Sequence, residues 1–214
     1  MKVTKEKAAE NRAALVQAAA RLFRERGIDG VGVAEISKKA GLTHGALYAQ
    51  FPSKEALAAE AFAYGLKPGL EMTADRDGRP AALADFLDHY LSLEHRDNLA
   101  AGCPMAASAS EVARQDKVIC ERFAEGFEHF VAVVERGLGA SPVKAENRQR
   151  ALAMIAAMIG GVAAARAVAK TNSKLSNEIL RATRRIIGEV AGAERRVEGA
   201  RGRVGAKRRR TRTT

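Results

Sequence analysis

Apolar positions recur in this chain at intervals of three and four residues almost from end to end, the period of helices that bury one face. Leu15, Ala18, Ala19, Leu22 and Phe23 form one such stripe and predict a helix over about 5–26, ended by Gly27. Ile36 and Ala40 lie four residues apart on one face, Gly41 offers the positive φ that closes a helix, and Thr43 is suited to cap the next. Leu47 and Phe51 repeat the inward spacing, so Thr43, His44, Ala46, Tyr48, Ala49 and Gln50 fill the other faces of this second helix. Ser53-Lys54-Glu55 starts a third, which carries Leu57, Phe62 and Tyr64. Two short helices joined at a glycine turn make a helix-turn-helix layout, with its motif at about 33–52 of a domain spanning 1–64.

The pattern continues beyond that domain. Gly65 to Gly78, with Pro68, Gly69 and Asp75-Arg76-Asp77-Gly78, has turn chemistry and predicts a break. A helix is then expected from Pro80 to about Glu94, with Leu83, Phe86, Leu87, Tyr90 and Leu91 on one face. Gly102-Cys103-Pro104 opens another that lasts to about Arg114. Asp116 is placed to cap a long helix carrying Ile119, Phe123, Phe127, Phe130 and Val134, with Gly137 to Pro142 as its stop. Helices at about 145–168 and 176–190 follow, separated by Thr171-Asn172-Ser173, with Ser176 as the expected cap of the last. The sum is an all-α fold of about nine helices, three in the N-terminal domain and six in a second domain over 65–194.

One run stands out for lacking a polar face. Ala151 to Ala165 is apolar nearly all round and includes Gly160-Gly161, so it needs cover on more than one side. Either it is buried within one protomer, or it forms half of a four-helix interface with a second copy. On the second reading Met154, Met158 and Gly161 would meet the partner, with Ile179, Ile186 and Ile187 from the last helix.

The net charge of +11 suggests nucleic acid only until it is located. Residues 1–64 hold ten Lys and Arg against seven Asp and Glu, residues 65–194 hold seventeen of each, and residues 195–214 hold nine against one. The basicity therefore sits in the tail, whose Gly, Ala and Thr cannot bury enough apolar surface to fold. No early apolar core resembles a signal peptide, and the run 151–165 is shorter than the roughly 20 residues of a membrane span. With only two cysteines, reduced thiols and a cytoplasmic location are expected, without a membrane partner.

The run Ala40-Gly41-Leu42-Thr43-His44-Gly45-Ala46-Leu47-Tyr48, followed by Phe51, Ser53-Lys54-Glu55 and Leu57, resembles the signature of the TetR family of bacterial transcription regulators. The resemblance is dense over Arg12 to Leu57 and loose beyond it. It implies a homodimer that sets two recognition helices into successive major grooves of a near-palindromic DNA operator, with a C-terminal ligand-binding and dimerisation domain. Thr43 and Tyr48 match positions that touch phosphates or base edges, and Gly45 lets the backbone approach. His44 and Gln50 are suited to read bases, and Lys54 to clamp a phosphate at a helix start. Where the family has a Ser or Thr capping the first helix of the motif, this chain has Gly32.

A regulator of this kind is expected to respond to a small-molecule effector. The residues available to line a pocket are Phe62, Tyr64, Phe86, Tyr90, Met105, Phe123 and Phe127, together with Cys103. Cys103 precedes a proline at a helix start, where amides and dipole can stabilise a thiolate that reacts with oxidants or electrophiles. Cofactors and metals are not expected: the four histidines lack zinc spacing, and no phosphate loop or nucleophile elbow is present. Two rival classes remain, a non-specific nucleic-acid binder driven by the Arg-rich tail and a cysteine-dependent enzyme.

Overall fold

The computed structural model describes residues 4–73, 82–138 and 144–209, with side chains omitted at 144–145 and 193–209. Among these residues there are ten helices and no strand. Asp75 to Gly78, Pro80 and Pro142, all expected to shape turns or helix starts, lie outside the described residues.

The first three helices match the pattern closely. Helix α1 (Lys5–Arg26) is capped by the Thr4 hydroxyl, which accepts from Lys7 N at 3.2 Å, and it ends at Gly27. Helix α2 (Val33–Lys39) stops before Gly41, whose φ of 71° reverses the chain, and Leu42 N donates to Ser37 O at 2.9 Å across the turn. Helix α3 (His44–Tyr48) is a turn and a half long, so Gln50 lies beyond its end rather than on it, as the sequence pattern had suggested. Thr43 occupies its N-cap position but makes no capping hydrogen bond, and Gly32, at the start of α2, has no side chain to make one.

Helix α4 (Lys54–Met72), capped by Ser53 Oγ accepting from Ala56 N at 3.1 Å, runs through the break expected from Gly65 onward. Neither Gly65 nor Gly69 has a positive φ, and the helix continues past Pro68, which lacks an N–H to donate. The glycine at 65 serves close packing instead: a Cβ there would overlap Arg24 Nη1. The boundary expected at 64/65 thus falls inside α4. This helix gives Leu57, Ala58 and Ala61 to a core with Leu15, Phe23, Ile36, Leu47 and Phe51, and it gives Phe62 and Leu66 to a second core.

The expected helix from 80 to 94 is two: α5 (Leu83–Tyr90) and α6 (Leu93–Asp97), because Ser92 Oγ accepts from His95 N at 3.0 Å and starts a new helix. Then come α7 (Pro104–Val112), α8 (Lys117–Leu138), α9 (Lys144–Ala169) and α10 (Ser173–Arg209). Ser176 is not the cap of α10. Asn172 Oδ1 accepts from Leu175 N at 3.0 Å, while Ser176 is fully buried and donates to Ala165 O at 2.7 Å. Nor does α10 stop near Val190: its backbone stays helical to Arg209, through most of the basic segment expected to be without structure.

The long apolar helix α9 is divided by face. Met154, Met158 and Gly161, expected at a subunit interface, point into the second core with Ile187 of α10. From Ala153 to Ala164 the outward side of α9 consists of small residues, Ala153, Ala156, Ala157, Gly160 and Ala164. Beside it α10 exposes Leu175, Ala182 and Ile186, the last at 49%, with Ile179 half-buried. The stretch Glu146–Ala169 is long and apolar enough to cross a membrane by composition, with 39% of its most apolar window buried in the protomer. Because Met158 is 1% exposed, Met158→Ala is expected to lower unfolding stability in urea by about 2–5 kcal/mol through cavity formation.

Candidate nucleic-acid interface and core cavity

The outer surface of α3 is built by subtraction. Leu47 and Phe51 are sealed into the first core at 0% and 1% exposure, which turns Thr43, His44, Gly45 and Tyr48 to solvent. The Tyr48 ring is 51% exposed and meets His44 edge-on at 5.2 Å between centroids. A Cβ on Gly45 would meet nothing within 4 Å, so its lack of a side chain answers no demand of the fold. Lys54 is partly exposed in the first turn of α4.

So short a helix cannot hold its own geometry, and Arg12 of α1 supplies what it lacks. The guanidinium donates to the Gln50 carbonyl just past α3, lies 4.0 Å over the Phe51 ring and pairs with Glu60 of α4. Gln50 is therefore anchored through its backbone, with its side chain half-buried. The sequence pattern had not singled out Arg12, because its role depends on partners 38 and 48 residues away.

The second core contains a cavity of about 60 Å³ between α4, α5, α7 and α8. Of the expected pocket residues it brings together Phe86, Tyr90 and Cys103, and it adds Met72, His89, His95 and Phe130. Phe62, Met105, Phe123 and Phe127 belong to the packed core instead, and Tyr64 packs against the first core. Cys103 is the N-cap residue of α7 and is half-buried. Cys120 turns inward and donates from Sγ to Val112 O at 3.2 Å.

His95 ties this cavity wall together. Its Nδ1 lies 2.7 Å from Tyr90 O and its Nε2 3.1 Å from Cys103 N. A carbonyl only accepts and an amide only donates, so Nδ1 carries the proton, Nε2 is bare and the ring is neutral. Burial pushes its pKa down to about 4, against which the hydrogen bond to Tyr90 works only in part. Burial of Tyr90 raises its phenol well above the usual value, with the Cys103 thiol beside it adding to the effect.

Helix α7, which starts at this wall, is tied to the N-terminal unit at both ends. Before its start Arg24 Nε of α1 donates to Ala100 O at 2.8 Å. Near its end Glu111 Oε1 accepts from Asp29 N at 2.7 Å, and Gln115 Nε2 donates to Asp29 Oδ1 at 3.0 Å.

Two family models match the sequence in order: that of bacterial regulatory proteins of the tetR family over residues 15–61, and that of the LmrA/YxaF-like transcriptional regulator C-terminal domain over residues 80–177. The chain belongs to the TetR family. Among curated relatives, this TetR-family chain is 38% identical over 85 residues to a probable helix-turn-helix transcriptional regulator, ArpR of Pseudomonas putida. The matched region is 40% of this chain and spans 38% of that relative's length. Two solved structures share the fold. The reduced form of NemR from E. coli superposes with a TM-score of 0.64 at 20% identity, covering 83% of this chain and 94% of that one. A TetR transcriptional regulator from Legionella pneumophila gives a TM-score of 0.68 at 17% identity, covering 88% and 98%.

Among the described residues of this TetR-family chain, no three His, Cys, Asp or Glu side chains cluster as a metal site. His95 gives the wall a pH dependence. The unfolded chain binds its imidazole proton near pH 6.5 and the folded one only near 4, so folding stability is complete above pH 6.5 and is lost as pH falls through that window. The thermal midpoint is expected to drop between pH 6.5 and 4, and to drop less in His95→Gln.

Proposed function

We propose that this chain is a DNA-binding transcriptional regulator that works as a homodimer and represses until an effector releases it from a near-palindromic operator. The observation that carries this is α3, whose core-facing residues are sealed and whose outward residues Thr43, His44, Gly45 and Tyr48 are held by the Arg12 staple. On this reading His44 reads bases, Thr43 and Tyr48 touch phosphates or base edges, and Gly45 admits the DNA backbone. Gln50 reaches bases only from the turn after α3. Lys54 holds a phosphate at the positive end of α4.

Dimerisation is supported by two exposed apolar faces, small residues on α9 and Leu175, Ala182 and Ile186 on α10, with Ile179 half-buried among them. An isologous four-helix interface would cover both and set the half-sites about 34 Å apart or a multiple of it. Ile186→Glu should then yield a folded monomer in sedimentation analysis, and an unchanged dimer mass would remove this face from the interface.

The effector is a small molecule in the cavity beside Tyr90, or a reagent that modifies Cys103 on the same wall. The protein is cytoplasmic and not an enzyme on this reading. Operator sequences selected from random duplex DNA give the direct test. Lys54→Ala is expected to weaken binding to every sequence and to flatten the salt dependence by about one ion, whereas His44→Ala shifts sequence preference. Removal of residues 195–214 should leave that preference intact. A truncated protein that loses all binding would favour the tail-driven alternative.

A further inference from the structure

The cavity holds one hydrogen-bonding group that the protein leaves unused. Tyr90 is 7% exposed, and its hydroxyl is buried beside the Cys103 thiol, with no hydrogen-bond partner in good geometry among the described residues. A buried hydroxyl left in that state is destabilising, and a ligand acceptor would relieve it. The surrounding wall is flat and apolar: Phe86 and Phe130 stack at 5.7 Å, joined by Met72, Pro68 and Pro104. His95 offers a ligand nothing, since both of its nitrogens are bound to backbone.

Two guanidiniums stand directly behind two glycines of this wall. A Cβ on Gly65 would overlap Arg24 Nη1, and one on Gly102 would overlap Arg166 Nη2. Both cations are bound by neutral carbonyls: Arg24 by Ala100 O, and Arg166 by Arg96 O at 3.0 Å and His95 O at 2.8 Å. Cys103 acts electrostatically on both, with Tyr64 on Arg24 and Tyr90 on Arg166, and the carboxylates that act on them are already engaged, Glu25 by Arg21 at 3.0 Å and Asp97 by Arg96 at 2.7 Å. Among the described residues, neither Arg24 nor Arg166 makes an ion pair with a carboxylate. Buried charge without a counter-charge is costly, and an anion in the cavity would offset that cost.

We propose that the cavity binds a small organic anion whose charged oxygen accepts from the Tyr90 hydroxyl and is stabilised by the charges of Arg24 and Arg166 behind the wall, while its apolar body rests on Phe86 and Phe130. This rests on the effector reading above and narrows the effector to an anion. A cavity of about 60 Å³ is several times what a single water needs, and a bulkier anion would press on its wall. The wall from Ala101 to Pro104 adjoins Ala100, whose carbonyl bonds Arg24 of α1, so its displacement reaches the N-terminal unit directly.

The test titrates acetate, butyrate and benzoate, each against its amide and at matched ionic strength, into the full chain at pH 7. Binding is read by the thermal midpoint without DNA, and release by anisotropy of a labelled operator. A carboxylate is expected to raise the midpoint and free the operator at concentrations where its amide does neither. Tyr90→Phe, which keeps the ring, should weaken that carboxylate at least tenfold while its ligand-free midpoint shows that it folds. Equal responses to acid and amide, wild-type affinity in Tyr90→Phe, or no response to any of the three carboxylates would overturn the proposal. Carboxylate-selective stabilisation in a protein that binds no selected DNA would uphold the anion site and overturn the regulator reading.

Discussion

Burial of α4 on two sides is the constraint from which the rest of the molecule follows. Its N-terminal half closes the core under α3, and its C-terminal half closes the core that lines the cavity. The first core also draws in Val112 and Ile119 from α7 and α8, so the N-terminal unit is incomplete without the second. Close packing makes such a beam hard to bend and easy to shift as a body. One continuous helix thus belongs to both cores.

A second level of order comes from arginines on backbone carbonyls. The chain between α6 and α7 has no ladder to satisfy its polar groups, and buried carbonyls must find donors. Arg24 provides one to Ala100 O, Arg166 donates to the last carbonyls of α6 at His95 and Arg96, and Arg96 reaches across to Ser176 at 2.9 Å and Asn177 at 2.6 Å on α10. Hydrogen bonds to charged groups contribute about 1.5–3 kcal/mol each, enough to fix a loop but set against the cost of burying a guanidinium. Helices α1, α9 and α10 thus converge on residues 95–100, which adjoin the cavity wall.

The two faces of α9 separate stability from association. Methionines and isoleucines fill the inner side, where long side chains are needed to reach α8 and α10. Alanines and a glycine line the outer side, where a second helix can approach closely. Gly161 belongs to the inner contact: a Cβ there would come within 2.8 Å of Thr183 Oγ1 on α10.

The amino-acid pattern by itself determined the all-α class, the bounds of α1 to within a residue, the glycine turn before α3 and the sealed positions Leu47 and Phe51, because these depend on local periodicity and backbone freedom. It also made Phe86, Tyr90 and Cys103 visible as wall residues. It misjudged Gly65 and Pro68 as a break, since glycine that admits a neighbouring side chain looks the same in sequence as glycine that turns the chain. It could not assign the faces of α9, whose residues are apolar on every side and carry no period. The staple at Arg12, the bonds of Arg24 to Ala100 and of His95 to Cys103, and the unused hydroxyl of Tyr90 were decided by tertiary structure alone. Each joins groups that only packing brings together, and no spacing along the chain encodes the distance between them.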